Sequence, residues 1–89
     1  MWNRVKETAA KEMNLPKDVV LGEALVTLLG KREVLIENYR GILIYEEAQI
    51  KLQTKNGKLT IRGKRLHIEY YTQEEMKVTG QIQSVEFGD

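Results

Sequence analysis

The sequence from Ile50 to Arg62 is IKLQTKNGKLTIR, two runs of alternating apolar and polar residues joined at Asn56-Gly57. This period of two places every second side chain of a β-strand on the same face. Asn-Gly is a strong hairpin signal, because both central residues of a type I′ turn need a positive φ angle. The stretch therefore predicts a β-hairpin with Leu52, Leu59 and Ile61 on its buried face.

Similar short runs, separated by turn residues, continue on both sides of this hairpin from Leu25 to Phe87. Gly63-Lys64 predicts another tight turn, and Gly80 predicts a bulge or bend. A second bulge is expected near Gln83-Ser84, because the apolar residues on either side are out of phase by one position. Strands at this spacing predict an antiparallel meander. We expect a mainly β fold in which the meander is curled into a small sandwich or open barrel.

The first residues follow a different period. Apolar side chains at helical spacing form one stripe, and Asn14-Leu15-Pro16 is a good stop signal. We therefore predict an amphipathic helix over residues 1–14, followed by a single all-β domain over residues 15–89. A helix this short is marginal alone, so its stripe is expected to dock on the rest of the chain or on a partner. The candidate docking residues are Trp2, Val5, Ala9 and Met13.

Composition excludes several classes of protein. The 89 residues suit one domain, and 14 Lys and Arg against 13 Asp and Glu leave a net charge of +1. This charge does not suit a domain held to nucleic acid by bulk electrostatics. Cysteine is absent, which excludes disulfides and thiolate metal sites. The longest apolar run, Ala24–Leu29, is far shorter than the roughly 18 residues that span a bilayer. We expect a soluble cytoplasmic protein without a transmembrane segment.

Residues suited to catalysis are isolated in the sequence. His67 is the single histidine, on the predicted polar face of a strand, without an evident nucleophile or orienting partner. Glu46-Glu47 and Glu74-Glu75 lie in predicted turns, where solvation prevents the pKa tuning that paired acids need. We therefore expect no enzyme activity, no catalytic residue, no metal site and no cofactor.

Basic side chains on predicted outward positions suggest a second kind of function. They would form a stripe across adjacent strands, which is a way to bind single-stranded nucleic acid or an anionic surface. The near-neutral net charge counts against nucleic acid. The candidate anion-binding residues are Lys51, Lys58, Arg62, Arg65 and Lys77.

Several segments, taken in order, resemble one family of proteins. The chain is similar, over roughly residues 14–87, to the YabP/YqfC family of sporulation proteins from endospore-forming bacteria, and most similar to its YqfC branch. The most specific segments are Leu35–Ile42 and Gly80–Phe87. The others are Leu15–Val20, the apolar strand that ends at Gly30, Ile61–Gly63 with Leu66 and Ile68, and Glu74-Glu75.

The resemblance implies a role in spore formation, in the mother cell after asymmetric division. It carries over no catalytic motif. We expect a non-enzymatic protein that acts by protein–protein interaction or assembly, at strand edges or apolar faces. The expected partner is another sporulation protein, with a membrane-associated one at the forespore and self-association both left open.

Overall fold

The computed structural model describes residues 22–89, and these residues form six β-strands and no helix. Hydrogen bonds join the strands into one antiparallel sheet in the order β1-β2-β6-β5-β4-β3. β1 and β3 are therefore its two edges. The strands are β1 Leu25–Leu29, β2 Glu33–Glu37, β3 Gly41–Tyr45, β4 Gln49–Thr54, β5 Gly57–Tyr71 and β6 Glu75–Gly88.

The predicted hairpin is confirmed, but its loop lies one residue earlier than the sequence indicated. Thr54 pairs with Gly57, so that Lys55 and Asn56 form the loop and Gly57 begins β5. Gly57 has a φ angle of 137°, a backbone conformation that would be strained for a residue with a side chain. Its carbonyl oxygen accepts a hydrogen bond from the Thr54 hydroxyl at 2.8 Å. Side-chain capping thus stabilises a loop that is not the expected type I′ turn.

β5 and β6 form a long hairpin whose pairing is interrupted three times. Gln83 has no partner on β5, Arg65 and Leu66 lie opposite Gly80 alone, and Glu69 is an extra residue on β5. Each interruption is a β-bulge, which bends the strand and increases its twist. The bulges predicted at Gly80 and near Gln83-Ser84 are thus confirmed.

Two glycines allow the strands to approach closely at this bend. A Cβ on Gly63 would lie 2.0 Å from the carbonyl oxygen of Gln81, and a Cβ on Gly80 would lie 2.7 Å from that of Arg65. Neither distance leaves room for a side chain. The turn predicted at Gly63-Lys64 is wrong, because β5 runs through these residues without a break. Gly63 serves close packing of two strands rather than reversal of the chain.

Chain length shows how far the sheet folds over. Gly41 lies beside Gln53 near the start of β5, whereas Glu37 lies beside Glu75 near its end. If β5 were straight, Gly41 and Glu37 would lie about 40 Å apart, because a strand rises about 3.3 Å per residue. The four residues from Glu37 to Gly41 span at most about 14 Å. The hairpin of β5 and β6 must therefore bend back, so that one half of the sheet covers the other.

The core lies between these two halves. Its side chains form one cluster and come from β2, β4, β5 and β6, together with Tyr39 from the connection between β2 and β3. Eight of them are fully inaccessible to solvent. One face of a single flat sheet would remain exposed to solvent. These side chains are buried because the two halves of the bent sheet pack against each other. The eight are Val34, Ile36, Ile50, Leu52, Leu59, Ile61, Met76 and Val78.

The fold class expected from the sequence is thus confirmed as mainly β and antiparallel. Of the two predicted forms, a small sandwich or an open barrel, the sandwich is wrong, because hydrogen bonds connect all six strands into one open sheet. In a sandwich, short strands would form two sheets that share no hydrogen bonds. Here β5 and β6 are long enough to belong to both halves, so the two halves remain one sheet. The predicted helix over residues 1–14 lies outside the described residues. Residues 22–89 contain no helix that is long and apolar enough to cross a membrane.

Candidate functional site

The outer face of β4 and the first half of β5 carries three of the five predicted anion-binding residues. Lys51 pairs with Thr60, and Lys58 and Arg62 lie two residues before and after Thr60 on the same face. We call Lys51, Lys58 and Arg62 the basic face. Lys58 and Arg62 are exposed and Lys51 is half-buried.

The positive charge of this face is partly neutralised. Arg62 donates a hydrogen bond from Nη1 to Oε1 of Gln49 at 2.6 Å. Its Nε lies 3.5 Å from Oε2 of Glu86, and both side chains are about half exposed. An exposed pair of this kind contributes little to stability, typically well under 1 kcal/mol. It also lowers the attraction of the basic face for anions.

Arg65 lies at the bend rather than on the basic face. Its φ angle is 54°, a left-handed conformation that is uncommon for a residue with a side chain. It lines a shallow depression of about 620 Å³ together with Glu46, Glu47 and His67. The two nearby carboxylates make this depression mixed in charge, which is unfavourable for a purely anionic ligand.

Lys77 is enclosed by acidic side chains. Its ammonium nitrogen lies 3.4 Å from Oε1 of Glu33 and 3.5 Å from Oε2 of Glu69. The hydrogen bond and charge of Glu33, followed by the charge of Glu69, raise the pKa of Lys77 above its usual value. Two carboxylates around one ammonium leave no net positive charge here. Lys77 thus neutralises the carboxylates of Glu33 and Glu69 on the strand surface. It does not belong to the basic face.

His67 contacts the side chain of a tyrosine on β3. Its Nδ1 lies 3.3 Å from the hydroxyl of Tyr45. The same hydroxyl accepts a hydrogen bond from the backbone N–H of Ile68 at 3.0 Å. This N–H belongs to the part of β5 beyond the last residue that β4 pairs with. The Tyr45 side chain therefore fills the place of a missing strand partner.

The predicted acidic turns are open to solvent. Glu46, Glu47 and Glu74 are exposed, and Glu75 is half-buried at the start of β6. Within residues 22–89, no three His, Asp or Glu side chains are grouped so as to hold a metal ion. The docking residues predicted on the N-terminal helix, Trp2, Val5, Ala9 and Met13, lie outside the described residues.

An apolar surface at β1 was missed by the interpretation of the sequence. Leu28 and Leu29 are 53% and 58% exposed, and Tyr70 on the neighbouring outer face is 42% exposed. Thr27, Leu28, Leu29, Leu35 and Tyr70 line a groove of about 450 Å³, with Glu33 and Lys77 also in its wall. The signal in the sequence was the lack of any charged residue between Glu23 and Lys31.

Comparisons with known proteins agree with one another. The family model described as the YabP family matches residues 21–89. The chain is also similar to "Uncharacterized protein YqfC" of Bacillus subtilis (strain 168). The two are 32% identical over 85 residues, which cover 96% of this chain and 91% of that relative. No solved structure matches the chain.

Proposed function

The chain belongs to the YabP family, and from this membership we propose that it is a non-enzymatic sporulation protein of endospore-forming bacteria. It acts in the mother cell by binding or assembling with another sporulation protein, including one peripheral to the forespore membrane. Support for the process comes from the family resemblance, together with a similar protein in Bacillus subtilis.

One observation supports binding as the mode of action. Eight large hydrophobic side chains are exposed on the described residues. Exposed apolar side chains that lie together, as Leu28, Leu29 and Tyr70 do in the groove beside β1, are typical of interaction sites in soluble domains. Several of the eight residues lie on β1 and β3, the edge strands of the sheet that residues 22–89 form, and edge strands offer backbone groups for pairing with a partner. The eight are Leu28, Leu29, Ile42, Leu43, Tyr45, Tyr70, Tyr71 and Phe87.

Affinity capture from sporulating cells tests this function. The tagged full chain should enrich a protein that is not captured from vegetative cells. A variant with serine at the predicted docking stripe, Trp2, Val5, Ala9 and Met13, should lose this partner. A control variant with serine at Lys6 and Lys11, on the predicted polar side, should keep it. Equal capture by both variants would remove the stripe from the proposal.

A cellular test addresses the process separately from the partner. A sporulating strain that lacks the protein should form fewer heat-resistant spores, and the wild-type chain should restore them when expressed from a mother-cell promoter. Restoration from a forespore promoter alone would contradict the compartment. A normal spore count without the protein would contradict the proposed process.

The grouping of Lys51, Lys58 and Arg62 on one face favours a second candidate function, binding of nucleic acid or another anionic surface. Such binding should weaken steeply as salt rises, because it depends on counterion release. Substitution of Lys58 and Arg62 by glutamate should abolish it, and Arg32→Glu in the exposed turn after β1 is the control. A fluorescent oligonucleotide and anionic vesicles are the probes, and absence of binding at low salt would exclude this function.

A further inference from the structure

The two edges of the sheet differ in how they are protected. β3 contains a bulge between Ile42 and Ile44, and a bulge blunts an edge against further strand pairing. β1 pairs with β2 through five consecutive residues without interruption. Its sequence, LVTLL, contains no charged residue and no proline. Within residues 22–89, β1 therefore has neither the bulge nor the charge or proline by which many sheet edges avoid pairing with another strand.

Exposed apolar side chains occur on both faces beside this edge. Leu29 lies on the outer face, in register with Glu33, and Leu28 lies on the inner face, in register with the buried Val34. Although Leu28 points toward the core side of the sheet, half of its surface remains exposed. An additional strand beside β1 would cover Leu28 and Leu29 together, which a ligand on a single face would not do.

The ends of β1 carry opposite charge. Glu23 precedes the strand, whereas Lys31 and Arg32 follow it, and all three are exposed. In an antiparallel pair, the beginning of one strand lies beside the end of the other. Two copies of β1 would therefore place the acidic end of each beside the basic end of the other. A parallel arrangement would instead bring like charges together.

We propose that a second copy of this chain pairs its β1 antiparallel with β1, about a two-fold axis at Thr27. The two six-stranded sheets then become continuous. Leu25 lies opposite Leu29 of the second copy on the outer face, and Val26 lies opposite Leu28 of the second copy on the inner face. The interface is the same patch on both chains, as a two-fold dimer requires.

The size of the interface sets the expected behaviour. A five-residue strand pair with a few flanking side chains lies toward the lower end of protein interfaces, below about 1,200 Å² in total. We therefore expect a dimer that dissociates on dilution. This inference goes beyond the proposed function, since pairing of two purified chains does not depend on the process in which the protein acts.

Sedimentation velocity of the purified full chain over a wide concentration range tests the dimer. Wild type should shift from monomer to dimer as concentration rises. Thr27→Lys places two lysines opposite each other at the axis, where like charges are unfavourable, and should raise the dissociation constant at least about fivefold. Leu43→Lys, on the exposed part of the β3 edge, is the matched control and should dimerise like wild type.

A charge exchange tests the orientation. Glu23→Lys should weaken the dimer, and adding Lys31→Glu to it should restore association. Because the Glu23 carboxylate also accepts a hydrogen bond from Asn56 at 2.8 Å, the melting temperature of each variant is measured to confirm folding. A wild-type chain that stays monomeric throughout would overturn the proposal. So would a dimer that Leu43→Lys disrupts and Thr27→Lys does not, or a folded double variant that remains as weak as the single one.

Discussion

The hydroxyl of Tyr39 donates a hydrogen bond to the carbonyl oxygen of Thr72, 33 residues further along the chain. Tyr39 belongs to the short connection between β2 and β3, and Thr72 follows the end of β5. The next residue, Arg40, donates its backbone N–H to the carbonyl of Gln53 at 2.7 Å. Two successive residues thus connect the two halves of the bent sheet.

Replacing Tyr39 with phenylalanine should lower the free energy of unfolding by about 1 kcal/mol, because one largely buried hydrogen bond is lost. Urea denaturation monitored by circular dichroism measures the change. Tyr71→Phe is the control, since Tyr71 is 63% exposed and its change should stay within about 0.5 kcal/mol. Equal stability of the two variants would contradict a structural role for the Tyr39 hydroxyl.

Gly80→Ala should destabilise the protein by about 1–3 kcal/mol. Gly80 has a φ angle of 140°, and an added Cβ would contact the carbonyl oxygen of Arg65 at 2.7 Å. Gly41→Ala is a matched control, because no atom beyond the adjacent residues lies within 4 Å of the added Cβ. Thermal unfolding compares the two, and a smaller loss for Gly80→Ala than for Gly41→Ala would argue against close strand contact at the bend.

Tyr45→Phe should expose the backbone N–H of Ile68, whose hydrogen bond the Tyr45 hydroxyl accepts. The local loss of about 1 kcal/mol corresponds to roughly fivefold faster hydrogen exchange at this amide. NMR-detected exchange measures it residue by residue. Amides of β2 serve as the internal control and should not change. Unaltered protection at Ile68 would show that another group satisfies this amide.

The acidic surroundings of Lys77 predict a loss of stability at alkaline pH. Its folded-state pKa is raised above the ordinary value of 10.5. The folded chain therefore holds the proton more tightly than the unfolded chain, and this contribution is fully present below pH 10.5. It is lost as pH rises through the folded-state pKa.

The comparison of wild type with Lys77→Met measures this effect, by denaturant unfolding from pH 7 to pH 11.5. Wild type should lose more stability than the variant over the upper part of this range. Lys58→Met is the control, because no described carboxylate forms an ion pair with Lys58. A decline in Lys77→Met as steep as that of wild type would contradict the role of Glu33 and Glu69.

Alternation in the sequence was sufficient to predict a β-hairpin near Asn56-Gly57 and the burial of Leu52, Leu59 and Ile61. It was not sufficient at Gly63, because a glycine in a turn and a glycine under a neighbouring strand have the same local pattern. The distinction depends on Gln81, which is distant in sequence and lies where a Cβ of residue 63 would be.

The candidate site was less predictable than the fold. Lys51, Lys58 and Arg62 share a face as expected, since alternation determines which way a side chain points. Lys77 and Arg65 have other surroundings, because strand order determines which carboxylates lie beside them. The uncharged run between Glu23 and Lys31 was a local signal for the apolar surface at β1, but the position of β1 at the edge of the sheet depends on strand order, which no local pattern contains.

The bend in β5 and β6 also affects how the protein folds. Both halves of the sheet contain parts of β5 and β6, so each half is complete only when the hairpin from Gly57 to Gly88 has formed. Most contacts that define the native state are therefore distant in sequence, and folding rates fall as such contacts dominate. We expect one cooperative folding transition on a timescale of milliseconds to seconds. Within residues 22–89, β1 pairs with β2 alone, so none of the described strands shields its other edge from neighbouring chains during this time.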